Sequence, residues 1–211
     1  MLLESAARLG CRSGRLLDIG CFSGMFLANA MKRGFEVAGV EPNRDAFLHV
    51  RKELGCEVVH GGLCSASFPD DGFSAVSYLD VIEHVPDPVT ELKEAFRVMR
   101  SGAVLILTTP NAAGLPQRVL RVKRRLSGAQ IPCPIDDVPW HLWGFTRDCL
   151  ARCVQRCGFK VARSMWLKPS ALTTNLGAGS SLEKRVGLRL AANVSEWLQM
   201  SDRMALFAQK P

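Results

Sequence analysis

Three side chains capable of acid–base or metal chemistry stand close together in this chain: Asp80, Glu83 and His84. Their spacing of i, i+3 and i+4 brings such side chains onto one face if the segment is helical. Two carboxylates and an imidazole can hold a divalent ion such as Mg²⁺, Mn²⁺ or Zn²⁺. An imidazole alone can also move a proton near neutral pH. A second constellation lies earlier. The run Leu16-Leu17-Asp18-Ile19-Gly20-Cys21-Phe22-Ser23-Gly24 reads as a buried strand ending in a glycine turn that opens a helix. Glu41 follows at the end of the next apolar run, where a carboxylate can accept hydrogen bonds from both hydroxyls of a ribose.

The elements that must position these residues alternate. Arg15 to Ile19 reads as a strand, Gly24 to Arg33 as a helix, and Glu36 to Glu41 as a strand. Asn43 caps a helix running to Leu54, and Glu57 to His60 is a short strand. Ala75 to Tyr78 is a fourth strand, and Asp87 to Met99 is helical with Pro88 at a tolerated first position. Ala103 to Thr109 is the most hydrophobic strand, entered through a Ser101-Gly102 turn. Such alternation implies right-handed crossovers and a mostly parallel sheet with helices on both faces.

The alternation breaks at residues 112–140, a long insertion with a basic run and the prolines Pro132, Pro134 and Pro139. Long connections of this kind are commonly lids or binding loops. Thr146 can cap a helix to Cys157, stopped by Gly158. Phe159 to Trp166 reads as a strand. Ser181 to Leu198 reads as an amphipathic helix, and Met204 to Gln209 as the last strand. The expected organisation is one domain over 1–211, with 112–140 as a basic insertion.

The glycine turn discriminates between nucleoside cofactors. A nicotinamide site calls for Gly-x-Gly-x-x-Gly. Here Phe22 and Met25 stand where the second and third glycines would be, so the turn suits a pyrophosphate poorly. S-adenosylmethionine carries no phosphate. The run Asp-Ile-Gly-Cys-x-x-Gly resembles motif I of class I methyltransferases, and Gly39-Val40-Glu41-Pro42 fits the second strand of that group. Phe68 to Val76, Asp80 to Pro88, Arg97 to Gly102, Thr109-Pro110-Asn111, His141 to Thr146 and Gly158-Phe159 resemble its later segments, in the family's order over about residues 15 to 165.

The resemblance implies a Rossmann-like fold: a seven-stranded, mostly parallel sheet with a reversed last strand. It implies S-adenosylmethionine as cofactor and methyl transfer as the reaction. Asp18, Gly20, Cys21 and Gly24 would shape the loop around the methionine group. Glu41 and Pro42 would hold the ribose end. Gly62, Leu63 and Cys64 would flank the adenine, and Asp80 would lie near the methionine and face the acceptor. The Asp80, Glu83, His84 segment is similar to the Glu-x-x-Glu-His metal element of ubiquinone-pathway O-methyltransferases and small-RNA 2′-O-methyltransferases. In those families a later histidine completes the site, for which His141 is the candidate. A metal-free site, with His84 or His141 binding the acceptor or taking its proton, is the preferred expectation. Two departures stand out: Phe22 replaces the usual central glycine, and only about fifteen residues precede motif I, where the family often carries a covering helix.

Composition bounds the rest. With 47% hydrophobic and 22% charged residues, the chain is that of a globular protein. No apolar run is long enough to span a membrane and no secretory leader is visible, so the expected compartment is the cytoplasm. The eight cysteines form no CxxC pair. Cys149, Cys153 and Cys157 recur every four residues and could be a thiolate metal site, but fit better as small apolar residues on a buried helix face beside Leu150 and Val154.

The net charge of +7 is concentrated at Arg118, Arg121, Lys123, Arg124 and Arg125. The preferred expectation is a solvated helix face, with Val119, Leu120, Val122 and Leu126 turned inward. An anionic or lipid-linked acceptor, or an anionic lipid surface, comes next. Nucleic acid ranks last for want of interleaved aromatics. The favoured acceptor is a small hydroxyl compound: a phenol, a sugar or a lipid-linked intermediate. Methyl transfer to RNA and a non-catalytic cofactor-binding regulator are the alternatives.

Overall fold

The computed structural model describes residues 1–127, 141–167 and 201–211. The elements, in chain order, are α1 (Leu2–Arg8), β1 (Gly14–Ile19), α2 (Met25–Met31), β2 (Phe35–Glu41), α3 (Arg44–Leu54), β3 (Glu57–His60), β4 (Phe73–Leu79), α4 (Pro88–Val98), β5 (Met99–Pro110), α5 (Leu115–Ser127), α6 (Arg147–Arg156), β6 (Lys160–Leu167) and β7 (Arg203–Gln209). They form one seven-stranded sheet in the order β3-β2-β1-β4-β5-β7-β6. β1 to β5 pair in parallel, and β7 runs antiparallel to both of its neighbours.

Local chemistry explains most of the boundaries. Asn43 caps α3 by accepting the Ala46 N–H, and Gly55 ends that helix at φ +60. Asp87 caps α4 through the Val89 and Thr90 N–H groups, with Pro88 in the first turn where no donor is needed. Thr146 caps α6 through Cys149 N–H. The inner strands β4 and β5 read as near-continuous apolar runs because helices cover both of their faces. One core layer joins the sheet to α4 and α6 through Leu92, Ala95, Leu150 and Val154. The other joins it to α1, α2 and α3 through Leu3, Ala6, Leu27 and Val50.

Three expectations shift. Ser101-Gly102 is not a turn ahead of β5 but lies inside it, where the register with β4 slips and Gly102 takes φ +76. The inward face expected for the basic run is reversed. Residues 115–127 do form a helix, but Val119 and Val122 are each 55% exposed and Leu126 83%. The cysteine stripe drifts across α6 from surface to core. Cys149 is exposed, Cys153 half-buried and Cys157 buried, and among the described residues the cysteines form no metal-holding group. The Ser181 to Leu198 helix, Pro132, Pro134 and Pro139 lie outside the described residues.

The strand order decides where a ligand can bind. The chain builds outward from β1 to β3, then returns to place β4 on the other side of β1. Connections therefore leave the carboxyl ends of β1 and β4 in opposite directions. The crevice opened there is the topological switch point at which open α/β sheets bind ligands.

Candidate active site

A cavity of about 660 Å³ occupies this crevice. Gly20, Phe22, Glu41 and Pro42 line one side, and Gly61 and Gly62 the end beyond β3. Asp80, Val81, His84 and Glu91 line the other side.

Gly20 sits at φ +68, and a Cβ there would lie 2.6 Å from Val81 Cγ2. The absent side chain is thus what lets the β1 turn pass under the β4 loop. Glu41 is buried, 4% exposed, and both of its oxygens are engaged. Phe22 N–H donates to Oε2 and Asn43 N–H to Oε1, each at 2.8 Å. A carboxylate has about four lone-pair sites, so two remain for a ligand's hydroxyls. Phe22 takes the left-handed region at φ +42, with its ring 69% exposed at the cavity mouth.

Several expected residues do not line the cavity. The Cys21 side chain points into the core: a Cβ on Gly39 would meet its Sγ at 2.8 Å, and burial pushes its thiol up to about 12. Gly24 caps α2 at φ +70 against Val50. Leu63 is fully buried, and Cys64 donates its S–H to Glu91 Oε2 at 3.5 Å. Asp18 is 3% exposed and accepts the Ser77 hydroxyl at 2.6 Å. Its carboxyl is pushed up to about 7, first by burial and then by Glu41, against the Ser77 hydrogen bond.

The expected convergence of Asp80, Glu83 and His84 needs correction. Asp80 takes φ +57, and only Ile82–His84 form a turn of 3₁₀ helix. Asp80 turns away, accepting from Thr108 Oγ1 at 3.1 Å and ion-pairing with Arg203 of β7. Its place is taken by His141. One ligand atom each from Glu83, His84 and His141 lie within 4.8 Å of one another, and the two imidazole rings are 4.8 Å apart at 52°. Backbone bonds from Leu142 and Trp143 N–H to Glu83 O, at 2.9 and 3.2 Å, bring the His141 segment there. The Trp143 indole N–H adds a bond to Val85 O at 2.8 Å. Trp143 thus sits at the edge, 43% exposed, whereas Phe145 is part of the core.

Glu83 is 1% exposed. Thr109 donates to its Oε2 at 2.9 Å, while Oε1 is buried with no hydrogen-bond partner. Burial pushes the carboxyl up to about 7, opposed by its own backbone N–H and by Thr109. A buried acid with one unmatched oxygen beside two imidazoles is a costly arrangement unless it holds a proton or a cation.

Glu91 lines the cavity, and Thr109 and Arg203 partner Glu83 and Asp80; the sequence reading assigned none of the three to the site. Glu91 lies on the apolar stripe of α4 between Pro88 and Ala95, and its carboxylate also accepts the Tyr78 hydroxyl at 3.4 Å. An acid in that phase of an amphipathic helix was the available signal. Thr109 stands in the Thr109-Pro110-Asn111 segment, but its partner Glu83 is distant in sequence, and nothing local marks Arg203.

Comparisons with known proteins identify the family and the fold. A methyltransferase-domain family matches residues 2–164. A ubiquinone biosynthesis O-methyltransferase of Alkalilimnicola ehrlichii is 31% identical over 108 residues, 48% of this chain and 44% of the relative. One from Pseudomonas fluorescens is 29% identical over 49% of this chain and 47% of its own length. The match thus spans under half the length of these curated relatives. A S-adenosylmethionine-dependent methyltransferase of Archaeoglobus fulgidus superposes with a TM-score of 0.67 at 21% identity, over 99% of this chain and 91% of its own. Among the described residues no helix is long and apolar enough to cross a membrane. The chain belongs to the methyltransferase-domain family, with the fold of the class I, S-adenosylmethionine-dependent enzymes.

Proposed function

We propose that this protein transfers a methyl group from S-adenosylmethionine to the hydroxyl oxygen of a small acceptor. The observation that carries the reading is one continuous cavity. It runs from the Gly20 turn and Glu41 at one side to His84 at the other, with Glu83 and His141 gathered behind His84. The cavity fits the cofactor: Gly20 lets the β1 turn close against Val81 along the cavity wall, and Glu41 keeps free lone pairs for two ribose hydroxyls. Bound S-adenosylmethionine would supply an activated sulfonium methyl for in-line displacement by the acceptor oxygen.

The chain's own residues would bind and orient. Glu41 and Pro42 would hold the ribose, and Gly62 and Glu91 would border the adenine. Asp80, held by Thr108 and Arg203, would place a fixed negative charge near the methionine end. His84 and His141 would bind the acceptor hydroxyl, and one of them would take its proton. Positioning of this kind can supply roughly 7 to 11 kcal/mol of the barrier reduction. The names of the curated relatives support oxygen as the acceptor atom.

The buried Oε1 of Glu83 favours a second reading of the same cluster. Glu83, His84 and His141 would hold a divalent ion through one oxygen and two nitrogens. Such an ion would add Lewis acidity toward an acceptor hydroxyl.

A screen of phenols, sugars and lipid-linked alcohols with methyl-labelled cofactor tests the function. O-methylated product, lost in His84→Ala and His141→Ala with S-adenosylhomocysteine affinity retained, is the expected result. Product methylated only on nitrogen or carbon would refute the hydroxyl assignment. Elemental analysis and activity after chelation separate the two readings of the cluster. Metal-free protein that keeps full activity supports proton transfer alone, whereas loss restored by a divalent ion supports the metal.

A further inference from the structure

Helix α5 turns its apolar face the wrong way for packing on a core. Leu115, Val119, Val122 and Leu126 recur three or four residues apart and so form one stripe. Val119 and Val122 are each 55% exposed and Leu126 is 83% exposed. Gln117, on the opposite side of the helix, is only 4% exposed. Arg118, Arg121 and Arg125 are exposed and follow the same spacing, giving the stripe a cationic edge. The helix contains no carboxylate.

We propose that α5 docks on an anionic lipid bilayer, lying in the headgroup layer with its apolar stripe toward the acyl chains and its arginines on lipid phosphates. An apolar face bordered by arginine is the composition that such an interface takes up. Charge complementarity fixes the sign of the surface, and the chain's net charge of +7 adds to it. A nucleic acid would satisfy the arginines but leave Val122 and Leu126 in water, so the stripe selects the bilayer. At 13 residues the helix is about 20 Å long, too short to span, so it lies along the surface. It begins at Leu115, a short loop after β5, whose last residue, Pro110, pairs with Arg203, the ion partner of Asp80. The inference stands on the helix surface alone and does not depend on the reaction run in the cavity.

The test is co-sedimentation of the full chain with vesicles of phosphatidylcholine containing one part in four phosphatidylglycerol, against phosphatidylcholine alone. The protein is expected in the pellet only with the anionic vesicles. Val122→Asp with Leu126→Asp should abolish pelleting while leaving the thermal unfolding midpoint unchanged. Should that variant fold poorly, Arg121→Ser with Arg125→Ser serves instead, lowering the partition coefficient about fivefold per arginine. Absence of the wild-type protein from anionic vesicles at low salt overturns the proposal. So does pelleting unaffected by loss of either the apolar or the cationic residues, or retention on RNA without any vesicle binding.

Discussion

The backbone N–H of Phe22 donates to the Glu41 carboxylate at 2.8 Å, so the acid ending β2 also holds the turn that ends β1. The turn and the acid are therefore one device.

This bond holds Phe22 at φ +42, a conformation in which a side chain costs about 1 kcal/mol relative to glycine. Phe22→Gly is expected to raise the urea midpoint of unfolding, against the usual destabilising effect of a new glycine. A lowered midpoint would mean that the ring contributes more packing than its exposure indicates.

Gly20→Ala should act in the opposite direction. The new Cβ meets Val81 at 2.6 Å and requires a positive φ, so a loss of about 2 kcal/mol or more in unfolding free energy is expected. Adding Val81→Ala should restore part of that loss, since it removes the clash but not the backbone cost. No recovery in the double variant would show that the backbone conformation alone explains the requirement for glycine.

Asp18 sets a pH dependence. Its carboxyl is pushed up to about 7 in the folded protein, chiefly by burial, and titrates near 3.9 in an unfolded chain. Between about pH 4 and 7 the unfolded chain releases a proton that the folded chain retains. Its contribution to stability is thus fully present below pH 4, falls as pH rises and levels off above 7. Asp18→Asn removes this titration and can still accept the Ser77 hydroxyl. The unfolding free energy of Asp18→Asn minus that of the wild type should therefore grow from pH 4.5 to 7.5, measured by urea melts. A difference constant across that range would show that Asp18 ionises normally when folded.

Much of the proposed cofactor side was legible because its signals are local. Gly20 and Glu41 stand at strand ends, where the buried runs stop, and Asn43 and Thr146 cap the helices expected of them. The proposed acceptor side depends on contacts between distant segments. Asp80 has the right spacing to join Glu83 and His84, but Arg203, 123 residues away, draws it off. His141 enters only because Glu83 O accepts two backbone N–H groups from its loop. The α5 helix shows a further limit of pattern reading. Periodicity shows which of Val119, Val122 and Leu126 share a face, but not whether that face meets a core or a different solvent.

Calorimetric titration with S-adenosylhomocysteine tests the central claim most directly. The account predicts one site per chain in the wild type and, for Glu41→Ala, a weakening of about 10- to 100-fold, as expected for lost hydrogen bonds to a charged acceptor. No binding by the folded wild-type protein, or equal affinity in Glu41→Ala, would contradict it.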